Sequence, residues 1–393
     1  MKDSINNQKS AGKIKFLLML LSIAVGVILF IFLINKYGDF NPDNVGLGLN
    51  TTTVINYSES SALNAIPDEN LSNTFDEVVE YVVKDSSNYQ VIWIGASQLH
   101  AINDYHPGEK LAYHVANYEN MQDGVLHTQF TTSNAGLHDI LGMFLYILRK
   151  GAVPDLIVIP LVYDDLRERA IQQRIIKDIK EEDLLKLSKN TSEHFRQALS
   201  NTNRTNYGVS SSDVIIDETP QKELEDWIIK SFGTIYPRFK KRKAVVSRLI
   251  ADYFIYSEKV YSAVYGSVSA SGGIRYPRIS DSLKKWNLCA LNDIVRIADE
   301  YNIRCLFYRQ PIRPTSSSFY HELPEYDHFY FEQVEKFKRD SNKVYFADLH
   351  GLVPVNLWGV TNINEPDVFH FKKEGHQLLG EKISKLTRDI LSK

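Results

Sequence analysis

The chain has 393 residues, enough for one large domain with an insertion or for two domains. Apolar residues make up 44% and charged ones 24%, which excludes a disordered chain, a collagen-like repeat and a multi-span transporter. With 45 basic against 48 acidic residues and a net charge of −3, no overall field draws it to nucleic acid.

Residues 16–34 read FLLMLLSIAVGVILFIFLI, uncharged and about long enough to cross a ~30 Å hydrocarbon layer as a helix. Lys9, Lys13 and Lys15 precede the run, and Asp39 and Asp43 follow it, so the basic end is expected inside and the remaining chain outside. The rival reading is a cleaved signal peptide. The run exceeds the usual apolar region of one, and NKYGDFNPD after it offers no small-x-small cleavage site. We therefore expect a cytoplasmic N-terminus at 1–15, a transmembrane anchor at 16–36 and an extracytoplasmic remainder. Residues 37–85, rich in Asn, Ser, Thr and Asp, read as a stalk or approach segment.

Four short apolar runs follow, at 91–94 (VIWI), 156–162 (LIVIPLV), 305–308 (CLFY) and 344–347 (VYFA). Helical patterns separate them, among them 281–301 and a last helix from about Glu374 to Leu391. Short, continuously apolar runs between helices read as buried parallel strands. The expected fold class is α/β: a three-layer α/β/α body with a mostly parallel sheet over 86–393. Between about 166 and 280 the strand signals give way to charged amphipathic stretches, read as a helical insertion. It carries the basic cluster Arg238, Lys240, Lys241, Arg242 and Lys243, which fits a solvated helix face or a contact with anionic headgroups or a partner.

Cys289 and Cys305 are too few for a disulfide framework and too isolated in sequence for a thiolate metal site. No metal or cofactor is expected. The stretch His321, Glu322, Glu325, Asp327 and His328 reads as a solvated loop rather than a metal centre.

Three places together suggest chemistry. The first strand runs into Gly95-Ala96-Ser97-Gln98-Leu99-His100, which holds a serine at the carboxyl end of a strand, where open α/β sheets place ligands. Such a Gly-x-Ser turn also serves simply to cap a helix. Asp367-Val368-Phe369-His370 puts an aspartate three residues before a histidine, so that Asp367 could hold Nδ1–H while Nε2 faces the Ser97 hydroxyl. His376, inside the last helix, is the competing histidine and reads as a packed or surface residue. In Asn134-Ala135-Gly136, a polar segment before it being a possible second strand, the glycine N–H could approach an oxyanion.

These blocks resemble those of the SGNH/GDSL hydrolases: Ser97 after the first strand, Gly136 after the second, a Pro154-Asp155-led third strand, and Asp367-x-x-His370-x-x-x-x-Gly375 before the last helix. The resemblance covers roughly 88–165 and 285–393. It implies a serine that attacks an ester, with Ser97, Asp367 and His370 as the triad. It also implies an oxyanion hole of Ser97 and Gly136 N–H groups with an asparagine amide. The sequence departs from the pattern at that asparagine: where the family has Gly-x-Asn-Asp, this chain has Val162-Tyr163-Asp164-Asp165-Leu166-Arg167. An ionised Asp164 accepts and cannot donate, so Asn134, Gln98 or Arg309 is left to supply the third donor, or backbone donors act alone. His100, Asp164, Asp165, Arg167 and Arg309 are candidate substrate-binding residues, with Arg313 a further cation past a strand end.

The anchor, the insertion and the Ser97–Asn103 block resemble membrane-tethered members that modify cell-envelope polymers, such as proteins of teichoic acid D-alanylation and alginate-type O-acetylation. That resemblance implies a membrane-bound O-acyltransferase partner and an envelope polysaccharide or polyol as acceptor. The expected function is an anchored serine acyltransferase or esterase. The alternative is a weak or inactive scaffold that binds the polymer or the partner.

Overall fold

The structure, a computed structural model, describes residues 19, 21–22, 25–36, 51–54, 64–67, 70–85, 87–166, 171–202, 231, 281–313, 332–339, 341–360 and 366–393. The basic cluster at 238–243, the 321–328 stretch and Arg167 lie outside these residues. The chain divides into two compact units, one of Met1–Gly46 with Ile216–Ser257, the other of Leu47–Ile215 with Glu258–Lys393. In the first unit the described residues are helical, including 25–36. Among the described residues no helix is long and apolar enough to cross a membrane.

The second unit is an α/β body. Its strands are β1 (Thr51–Thr53), β2 (Asn64–Ala65), β3 (Tyr89–Gly95), β4 (Ala101–Asn103), β5 (Val125–Thr131), β6 (Leu156–Leu161), β7 (Arg304–Arg309), β8 (Val344–Asp348), β9 (Trp358–Val360) and β10 (Pro366–Phe371). Six of them form one sheet in the order β2-β5-β3-β6-β7-β8, parallel at every pairing. Two antiparallel pairs, β1 with β4 and β9 with β10, stand apart from it. The principal helices are α1 (Ser72–Lys84), α2 (Ser97–His100), α3 (Ala112–Asn120), α4 (Leu137–Arg149), α5 (Gln173–Ile176), α6 (Glu181–Leu184), α7 (Lys189–Thr202), α8 (Asp281–Glu300) and α9 (Lys373–Leu391).

Because side chains alternate along a strand, the sheet feeds two cores. Ile92, Ile94, Ile157, Ile159 and Phe307 pack with α1, α4 and α8 on one side. Val91, Trp93, Val158, Leu306 and Tyr308 pack with α3 and α9 on the other. Strands buried on both faces must be apolar throughout, which is why β3, β6 and β7 stand out in the sequence as unbroken runs; the fourth run forms the edge strand β8, where Val344 is buried and 345–347 are half-buried. The strand β5 does not, because it buries polar residues, two of which bond internally: Trp93 Nε1–H donates to His127 Nδ1 at 2.9 Å, and Gln129 Nε2 donates to Asn64 Oδ1 at 3.0 Å.

The expected stalk at 37–85 is corrected in its later part, since β1, β2 and α1 belong to the folded unit. Phe75 of α1 is fully buried, 4.8 Å from the ring of Phe130 and 6.0 Å from that of Tyr146. Burying a side chain of this size contributes ~1.5–3 kcal/mol, which ties α1 to the body. Its sequence looked like an approach segment because the polar stretches before it obscured one amphipathic helix. The described part of the expected insertion, residues 171–202, is largely helical.

Candidate active site

Ser97 opens α2 immediately after β3, and His370 and Asp367 lie on β10, which closes against β9. The serine Oγ is 3.0 Å from His370 Nε2, across 273 residues of sequence. On the other side of the ring, His370 Nδ1 is 3.0 Å from Asp367 Oδ2. A carboxylate only accepts, so it holds the proton on Nδ1 and leaves the Nε2 lone pair to the serine hydroxyl. The second carboxylate oxygen, Oδ1, accepts from the backbone N–H groups of Phe369 and His370, both at 2.9 Å.

Asp367 is 6% exposed, and burial alone would raise its pKa. The charge and ring hydrogen bond of His370, with the two backbone donors, outweigh that burial and hold the carboxyl below its ordinary range. The imidazole is itself 4% exposed, while Ser97 is only half-buried. The arrangement is a buried base and orienter behind a hydroxyl that substrate can reach.

Gln98, the next residue along α2, does not face an oxyanion. Its amide nitrogen donates to Phe369 O at 2.7 Å and to Pro311 O at 2.9 Å, which uses both of its hydrogens. This corrects the expectation that Gln98 is a candidate third donor. The bonds tie the serine's helix to the histidine's strand and to the loop after β7. Arg313, on that loop, donates from Nη1 to Gly359 O of β9 at 3.0 Å, a second tie onto the β9–β10 pair. Burial lowers its pKa, and the charge of Asp367 opposes the shift.

Gly136 is the N-cap of α4, and its N–H donates to Asp139 Oδ2 at 3.0 Å. The donor expected at an oxyanion is therefore engaged by a carboxylate. The other oxygen of Asp139 accepts from Gln172 N at 2.9 Å, and Gln172 Nε2 reaches the carbonyls of Ser133 and Asn134. An acid three residues past an N-cap is a signal legible in sequence, and it points to this capping role for Asp139. Asn134 is exposed, with a left-handed φ of 54°.

Among the substrate-binding candidates, His100 is fully buried and 2.9 Å from Thr131 Oγ1 through Nδ1, so it packs beneath the site and cannot reach a substrate. Burial, with the neighbouring His370 second, pushes its pKa down to about 3. Asp165 is 8% exposed and accepts from Val162 N at 3.1 Å, closing the turn Tyr163–Leu166 that also holds Asp164. Arg309 is 7% exposed, lies 3.6 Å from Asp348 Oδ2, and lines a cavity of about 390 Å³ with Asp348, His350 and Lys382. His376 is fully buried and 3.1 Å from Ala101 O, a packed residue as its place in α9 suggested.

Gly95 is required for space rather than for an unusual backbone angle. A Cβ there would lie 2.8 Å from both Leu99 Cδ1 and Pro160 Cγ, so the strand end can approach β6 and α2 only without one.

No family model and no curated protein matches the chain. Among solved structures it is similar to a proposed acylhydrolase from Bacteroides fragilis NCTC 9343, at 11% identity and a TM-score of 0.36, over 81% of this chain and 95% of that one. It is also similar to a proposed lipolytic protein of the G-D-S-L family from Desulfitobacterium hafniense DCB-2, at 12% identity and a TM-score of 0.32 (76% and 99% covered). A third, described as a proposed platelet activating factor from Streptococcus pneumonia, gives 11% identity and a TM-score of 0.28 (79% and 90% covered). Likenesses this distant carry no weight for function.

Proposed function

We propose that the protein is a serine acyltransferase or esterase of SGNH type, acting through an acyl-serine on Ser97. The observation that carries this reading is the continuous chain Ser97 Oγ, His370 Nε2, His370 Nδ1 and Asp367 Oδ2, each link 3.0 Å. In the first half-reaction His370 takes the hydroxyl proton as Oγ attacks the acyl carbon, and the leaving group then departs with that proton. In the second, a sugar or polyol hydroxyl, or water, gives its proton to His370 and takes the acyl group. Asp367 keeps the imidazole in the one tautomer that can serve both halves. Ser97 is the first residue of α2, so its N–H has no intrahelical acceptor and is the backbone donor we assign to the oxyanion.

The acceptor we propose is a free hydroxyl of a cell-envelope polysaccharide or polyol, with a membrane-bound O-acyltransferase as the donor partner. An N-terminal anchor with the catalytic unit outside fits this assignment. The apolar run at 16–34 after Lys9, Lys13 and Lys15 supports it, as does the exposure of Val25, Ile28 and Phe32 at 57%, 67% and 58% on its described helix. Apolar side chains left this open require a lipid or protein cover.

The second reading is a weak or inactive scaffold that binds the polymer or the partner. It is favoured by the engagement of Gly136 N–H and of the Gln98 amide, since each missing oxyanion donor typically costs ~10²–10³ in rate. Labelling the full-length protein with a fluorophosphonate separates the two. The enzyme labels at Ser97, and labelling disappears in Ser97→Ala and His370→Ala. A folded protein that does not label, or labels elsewhere, overturns the enzyme reading.

A further inference from the structure

Away from the triad, three helices bring together two imidazoles and a thiol. His138 Nε2 on α4 lies 3.2 Å from His194 Nδ1 on α7, and that nitrogen lies 3.7 Å from Cys289 Sγ on α8. One ligand atom from each residue lies within 4.8 Å of those of the other two. With Zn–N at ~2.0–2.1 Å and Zn–S at ~2.3 Å, a tetrahedral ion needs N···N near ~3.3 Å and N···S near ~3.6 Å, so two of the three edges already have the required length. We infer that His138, His194 and Cys289 form a zinc site that pins α7 to α4 and α8, with a fourth position left for solvent.

The surroundings suit such a site. The Trp286 ring lies over both imidazoles, with centroids 3.8 Å from His138 and 4.5 Å from His194, and fixes their planes. His138 is 1% exposed, and burial, with the nearby His194 second, lowers its pKa to about 3; Asn287 beside it opposes the shift. Burial also lowers His194, with Glu193 opposing. In the hydrogen bond between them one of the two facing nitrogens carries a proton, which passes to the other nitrogen of that ring when both lone pairs turn to an ion, so neither neutral ring need lose a proton altogether. The third ligand does lose one. The Cys289 thiol now donates to Trp286 O at 2.7 Å, and burial raises its pKa. Binding forms the Zn–S bond, breaks S–H and sends that proton to solvent, which also releases the thiolate from the carbonyl so that it can turn toward His138. The carboxylates of Asp293 on α8 and Glu193 on α7 act on Cys289 and His194, and both favour a cation there.

Along the chain the two cysteines are too isolated for a thiolate metal site. Only the packing of α7 and α8 against α4 joins one of them to two histidines 95 and 151 residues before it.

The test is titration of chelator-treated full-length protein with Co²⁺, followed by displacement with Zn²⁺. One equivalent of Co²⁺ should give the visible absorption of a tetrahedral ion with a thiolate-to-cobalt charge-transfer band, and Zn²⁺ should erase it. In Cys289→Ser the charge-transfer band should vanish, and in His194→Gln affinity should fall on the order of 100-fold or more. Zn²⁺ should also raise the melting temperature of the parent and of Ser97→Ala, but not of Cys289→Ser. Absence of the band at equimolar Co²⁺ overturns the site, as does equal affinity in the folded Cys289→Ser variant. Neither outcome touches the fluorophosphonate result.

Discussion

The Gln98 side-chain amide, one residue after the candidate nucleophile, donates at 2.7 Å to the backbone carbonyl of Phe369, one residue before the candidate base. Two segments 271 residues apart in sequence are thus joined beside the very bond on which the proposed chemistry depends. A serine–histidine contact tolerates little slack, because a displacement of about 1 Å can cost ~10²-fold in rate.

Gln98→Ala should therefore lower kcat for hydrolysis of an activated ester by ~10-fold or more, with a smaller change in KM. It also strands a buried carbonyl, that of Pro311, and a half-buried one, that of Phe369, at ~1–3 kcal/mol of stability. Steady-state kinetics at a temperature well below the variant's melting point checks the first effect, and thermal unfolding the second. Unchanged kcat in a folded variant removes Gln98 from the site.

Asp367→Asn keeps the shape and alters the proton arrangement. An amide can offer its N–H to Nδ1, which would leave the ring's proton on Nε2, pointing at Ser97 rather than accepting from it. A fall in fluorophosphonate labelling rate of ~10²–10⁴ is expected. A loss of less than tenfold would mean that the aspartate does not set the tautomer.

Acid should unfold the protein at an unusually mild pH. His100, His127 and His376 are fully buried, and burial lowers each from 6.5 to about 3. Below 6.5 the unfolded chain binds protons that the folded one cannot. The stability is thus fully present above 6.5 and is lost as pH falls toward 3. At pH 5.5 each histidine costs about 1.4 kcal/mol, together about 4 kcal/mol, a large part of an ordinary ~5–15 kcal/mol. The lowered Asp367 adds to the loss at the acid end of the window. Melting temperatures from pH 7.5 to 4.5 should drop steeply below 6.5; a flat profile would mean these rings ionise freely in the fold.

Gly95→Ala should destabilise by ~1–3 kcal/mol, because its Cβ meets the Leu99 methyl, which can turn away, and also the Pro160 ring, which cannot. Thermal unfolding reads this directly. Labelling of the surviving folded protein should also slow, since Leu99 sits on the turn that carries Ser97.

The sequence by itself carried the layered α/β architecture, because a strand buried on both faces must be written in apolar residues and 91–94, 156–162 and 305–308 are, with the half-buried edge run 344–347 beside them. A spacing of three residues also let Asp367 and His370 be read as partners, and the structure has them 3.0 Å apart. Tertiary packing alone decided which donors are spent. Nothing local announces that Gln98 bonds a carbonyl from the far end of the chain. The spacing from Gly136 to Asp139 is visible in the sequence, but not that it withdraws the N–H from any ligand. It also decided that Thr51, Asn64 and Phe75 belong to the body, and that Cys289 has histidine neighbours. A hydrogen bond or a ligand set depends on atoms within about 3–4 Å, whatever their distance along the chain. Periodicity reports only which face of an element is buried, and is silent about what that face meets.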